Sequence, residues 1–116
     1  ELGISVAAVG LRGEPTGVAQ GWNADVVATA KRDLAPGELL DGEGGYTVWG
    51  KLLPAATSTR LGGLPLGLAH GIKVVRPVKK GQSLSWADVA IDTTTHAYRI
   101  RREMESLFAA PLLKAA

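Results

Sequence analysis

Two nine-residue stretches decide the reading of this chain: Arg32-Asp33-Leu34-Ala35-Pro36-Gly37-Glu38-Leu39-Leu40 and Arg76-Pro77-Val78-Lys79-Lys80-Gly81-Gln82-Ser83-Leu84. They align without a gap, 44 positions apart. The shared pattern is Arg, any residue, an aliphatic, two turn residues, Gly, Glu or Gln, any residue, Leu. In the first copy Pro36 and Gly37 hold the two central positions of a type II turn, where glycine supplies the positive φ. Both copies follow a β-prone Val-Val run, Val26-Val27 and Val74-Val75. Two strand–turn–strand units predict a pseudo-symmetric β domain.

The surrounding sequence fits. Val26 to Ala30, Leu39-Leu40, Tyr46 to Leu53, Gly71 to Arg76 and Val89 to Ile91 read as short strands. Ala55 to Arg60 reads as one helical turn, and Ser85 to Asp88 as a capped turn with Trp86 as its anchor. Leu61 to Leu68 reads as an apolar loop that another surface should cover. From Thr95 the hydrophobic period changes. Ala97, Ile100, Met104, Leu107 and Phe108 share one helical face, with Arg99–Glu103 and Arg101–Glu105 as i,i+4 pairs elsewhere. Asp92 to Thr95 offer caps, and Pro111 is expected to stop the helix. Residues 1–12 predict a weak N-terminal helix with Leu2, Val6 and Val9 on one face. The expected organisation is therefore an N-terminal helix and linker over 1–23, leading from an upstream domain, a β domain over 24–92, and a C-terminal amphipathic helix and tail over 93–116.

Composition limits the chemistry. The 116 residues include 15 Gly, 6 Pro and no Cys, so disulfides, thiolate catalysis and zinc–sulfur sites are out. Thirteen basic against eleven acidic residues give a net charge of +2. That balance argues against a nucleic-acid groove. No apolar run approaches the roughly 20 residues of a membrane span, so no membrane partner is expected, and the cytoplasm is the default location.

The candidate binding residues come from the glycine-rich segments. Asp41 and Glu43 flank Gly42, Tyr46 follows, and His70 precedes a strand. A carboxylate pair can serve acid–base work, and a histidine can exchange protons or bind a substrate oxygen. The competing readings are an Asx-type turn for Asp41 and a backbone-bonded loop histidine for His70. Trp49 and Trp86 read as core anchors, while Trp22 is free to stack on a ring. Arg76, Lys79 and Lys80 form a basic cluster that a phosphate or carboxylate would suit, though a solvated turn explains them as well. No residue is assigned a catalytic role, no metal is expected, and no nucleophile elbow is present.

The segment Lys31 to Glu38, followed by Val78-Lys79-Lys80-Gly81-Gln82-Ser83-Leu84, resembles the SAF domain. This family includes antifreeze proteins, the antifreeze-like domain of sialic acid synthases, flagellar P-ring chaperones and the small domain of sugar-acid dehydratases. The resemblance implies a mainly β fold of β-clip type built from short strands. A longer likeness rests on Asp41-Gly42-Glu43-Gly44-Gly45-Tyr46-Thr47-Val48-Trp49-Gly50-Lys51 and on Gly63-Leu64-Pro65-Leu66-Gly67-Leu68-Ala69-His70-Gly71. These look like the C-terminal SAF region of bacterial NAD(P)-dependent, homoserine-dehydrogenase-like oxidoreductases. That likeness implies a parent with a Rossmann domain and a catalytic region upstream, NAD(P) as the parent's cofactor, and a small polar or polyol substrate. It implies that the SAF segment completes or covers the substrate site or mediates subunit contacts, with self-association open to it. The chain departs from the full-length pattern in lacking Gly-x-Gly-x-x-Gly between a strand and a helix, so no cofactor is expected to bind this chain alone. The alternatives are a free-standing carbohydrate- or ice-binding module, or a dehydratase small domain.

Overall fold

The computed structural model describes residues 2–114. Five strands form two small antiparallel sheets. In the first, β1 (Ala24–Ala30) pairs with β3 (Val48–Pro54) in unbroken register from Ala24 opposite Pro54 to Ala30 opposite Val48. In the second, β4 (His70–Val74) lies between β2 (Leu39–Asp41) and β5 (Val89–Ala90). Helix α1 (Leu2–Ala7) runs into a π-helical turn over Ala8–Arg12. Helix α2 (Ala55–Leu61) follows β3, and α3 (His96–Lys114) ends the described chain.

The internal repeat is a structural one. Leu34 and Val78, which occupy the same place in the two copies, face each other and exchange backbone hydrogen bonds. Around them the two copies make the same contacts. The Gly37 N–H donates to Val74 C=O and the Gly81 N–H to Ala30 C=O, both at 2.8 Å. The Glu38 carboxylate accepts the Ala35 N–H at 2.8 Å, and the Gln82 carboxamide oxygen accepts the Lys79 N–H at 3.2 Å. Gly37 and Gly81 have φ of 95° and 82°, the left-handed conformation that both turns require. Leu40 and Leu84 are both buried in one core with Ala28, Val48, Leu64, Val74 and Val78.

Leu61 to Leu68 is covered at its centre by the domain itself. The Ala28 N–H donates to Leu64 C=O, the Leu64 N–H to Leu84 C=O, and the Leu84 N–H to Ala28 C=O, so the segment threads between β1 and the second repeat. Leu64 is fully buried and Leu66 packs against the core. The centre of the run is interior, with the Leu64 backbone satisfied by both neighbours, while Leu61 stays 41% exposed.

The packed face of α3 differs from the one its hydrophobic spacing predicts. Tyr98, Arg101, Glu105 and Phe108 turn toward the domain, while Ile100 and Leu107 stay 50% and 69% exposed. The reason is ionic. Arg101 makes a two-pronged bond to Asp25 at the start of β1, at 2.9 and 2.5 Å, and holds Glu105 at 2.8 Å. Ser58 of α2 donates to the same Asp25 at 2.5 Å. Burial alone would raise the Asp25 carboxyl; the bonds from Arg101 and Ser58 outweigh it and hold it low. The Arg101 guanidinium also lies 4.7 Å over the ring of Trp22, so Trp22 is covered. Trp86 packs edge-on against Tyr98, as an anchor should. Trp49 does not, and remains 44% exposed on β3, which β1 pairs along one edge. The helix also continues through Pro111 to Lys114. Proline already has a helical φ, and near a helix end it removes a single N–H bond.

Candidate functional site

Asp41 ends β2 and His70 begins β4, and the two are register partners. The turn between β2 and β3, Asp41 to Thr47, is wound around the Asp41 carboxylate. One oxygen accepts the Tyr46 N–H at 2.5 Å; the other accepts the Thr47 N–H at 3.0 Å and the Thr47 hydroxyl. Thr47 Oγ1 in turn accepts the Asp41 N–H at 3.0 Å. These donors, the Thr47 hydroxyl first, hold the Asp41 carboxyl at about 2. Gly45 makes the winding possible: a Cβ there would stand 2.2 Å from the Asp41 carboxyl carbon. Lys31 Nζ clamps the turn from outside by donating to Gly45 C=O.

His70 is oriented by the same turn. Its Nδ1 lies 3.1 Å from Asp41 C=O. A carbonyl only accepts, so Nδ1 carries a proton, and in the neutral ring the lone pair is left on Nε2. The ring lies against Gly42, where a Cβ would approach Nδ1 to 3.0 Å. A hollow of about 230 Å³ opens beside His70, walled by Leu68, Ile72 and Ile91, with Asp92 and Thr95 at the start of α3.

The structure thus brings Asp41 and His70 together and gives Asp41 an internal task. Tyr46 is 87% exposed at the turn. Glu43 is exposed on the same turn, and among the described residues no hydrogen bond joins it to His70. Sequence reasoning missed Thr47 and Lys31, which hold the turn, and the aliphatic wall beside His70. A lone Asp before a glycine run, with Thr six residues on, was the available signal for Thr47.

Lys79 and Arg76 of the basic cluster pair with acids of the domain, and Lys80 is held through its backbone N–H. Lys79 Nζ bonds Asp33 at 2.9 Å, the Lys80 N–H bonds the same carboxylate at 2.8 Å, and Arg76 pairs with Asp88 at 3.2 Å. Asp33 belongs to the first repeat, so its two contacts tie one repeat to the other. Among the described residues no group of three His, Asp or Glu is placed to hold a metal ion. No helix among them is long and apolar enough to cross a membrane.

A paired strand–turn–strand unit folded about one backbone bridge defines the class. The family model of the SAF domain matches residues 25–90, and the chain belongs to the SAF domain family. No curated protein matches the chain.

Proposed function

We propose that this chain is the SAF domain of an NAD(P)-dependent, homoserine-dehydrogenase-like oxidoreductase, and that its Asp41–Tyr46 turn and His70 cover part of the substrate site formed by the rest of that enzyme. The observation that carries the reading is the prepared corner. Asp41 is consumed in bracing the turn, and the His70 ring is fixed between Asp41 C=O and Gly42. What faces outward is the Glu43 carboxylate, the Tyr46 phenol and His70 Nε2, polar groups on a rigid base. Such a corner suits the hydroxyls of a small polar substrate, which donate to Nε2 and to Glu43 and accept from Tyr46. The apolar residues of α1 and its π-helical turn, with Leu2, Ile4, Val6, Val9 and Leu11 all 62% exposed or more, suit packing against another domain.

The test uses the full-length product of the natural gene. Glu43→Gln and His70→Ala should lower turnover about tenfold or more and leave cofactor affinity intact, since a lost charge-assisted contact at a substrate is worth that much. Wild-type turnover in both variants would overturn the reading. The chain of 116 residues alone should not bind NADPH or NADH; micromolar binding by calorimetry would do the same.

A further inference from the structure

Independently of that reading, we propose that the outward face of α3 is a self-complementary docking surface, and that its occupant is α3 of a second copy of this chain running antiparallel to the first. Three observations meet there.

The first is spacing. Ala97, Ile100, Met104 and Leu107 recur at alternating intervals of three and four, the seam of one helix packed on another. The domain uses only one edge of that seam. It holds α3 by Tyr98, Arg101, Glu105 and Phe108, so Met104 is half-buried at the border and Ile100 and Leu107 face out. An apolar stripe that its own domain leaves open calls for a helix to cover it.

The second is charge. Glu103 lies beside the stripe on its free flank, and Arg99 lies one turn before it and further round, within reach of its long side chain; both are exposed. At i,i+4 spacing they could pair with each other, yet among the described residues neither has an ion-pair partner, whereas Arg101 and Arg102 both bind Glu105. A two-fold axis at the level of residue 101 sets each Arg99 beside the partner's Glu103, so two symmetry-related pairs satisfy four charges. A parallel arrangement would set like against like.

The third is rigidity. The opposite face of α3 is fixed by the buried Asp25–Arg101–Glu105 network, so the seam is presented on a firm support and little ordering is needed on association.

The chain has no cysteine, which makes the test direct. Sedimentation of the 116-residue chain should show a concentration-dependent dimer. Arg99→Glu and Glu103→Arg should each weaken it at least about fivefold, because an attractive pair becomes a repulsive one, and the double variant should return to within about twofold of wild type. Leu107→Asp should leave a folded monomer. Ile100→Cys, on the seam and close to the axis, should cross-link two copies; Ser106→Cys, on the far side of the helix, should not. A chain that stays monomeric to about 1 mM overturns the proposal and leaves the seam to a different partner. A dimer unaffected by the charge swaps or by Leu107→Asp overturns it too, since the contact then lies elsewhere.

Discussion

Leu34 and Val78 each donate their backbone N–H to the other's carbonyl, at 2.8 and 3.1 Å. They are the same position of the two repeat copies, so the pseudo-two-fold of the domain passes between them. The turns on either side inherit that relation, and so do the energetics of their glycines.

Gly37→Ala and Gly81→Ala should each destabilise the chain by about 1 kcal/mol or more. Neither added Cβ meets a neighbouring atom within 4 Å, so the cost is that of holding an L residue at φ of 95° or 82°. Denaturant midpoints would measure it. Costs near zero in either variant would contradict the equivalence of the turns.

Asp41 should contribute acid-sensitive stability. Its folded carboxyl is held at about 2, below the ordinary 3.8, by donors from Thr47 and Tyr46. A depressed carboxyl stabilises the fold at pH above its unfolded value and loses that contribution as pH falls from about 4 through about 2. The stability difference between wild type and Asp41→Asn should therefore shrink across that window. A difference independent of pH would mean that the carboxylate does not hold the turn.

Arg101→Ala should destabilise by about 3 kcal/mol, because it leaves Asp25 a buried charge with no cation beside it, while Glu105 keeps Arg102. Pairing it with Asp25→Ala should recover part of the loss, as the charge most buried is then gone. Thermal melts of the single and double variants give the coupling, and strict additivity would contradict a direct bond.

Nitrogen chemical shifts of the neutral His70 ring should place its proton on Nδ1. The bond to Asp41 C=O requires that tautomer. The opposite tautomer would remove the geometric basis for an accepting Nε2 at the candidate site.

Much of this protein was legible in the sequence by itself. Pro36-Gly37 and Lys80-Gly81 specify their turns through backbone preferences of the residues themselves, and the repeat followed from seeing the turn twice. Ser85 and Asp88 likewise announce their own cap: Ser85 donates its N–H and hydroxyl to Asp88, at 2.8 and 2.7 Å, within three residues. Such signals need only neighbours in the chain. The sequence alone also carried the family resemblance, and both repeat copies lie within the residues that the SAF model matches.

What tertiary structure decided was the use of each surface. The spacing of α3 offered two faces, one apolar and one carrying Arg101 and Glu105. Which one packs depended on Asp25, 76 residues away, and on the Ser58 hydroxyl beside it. Asp41 could have faced a ligand; Thr47 and Tyr46 fold back over it and make it part of the turn. Leu64 looked like exposed apolar surface until β1 and the second repeat closed on either side of it. In each case the residue's chemistry was readable, but its partner was set by the fold. Burial and pairing depend on distances between segments that local preference does not fix.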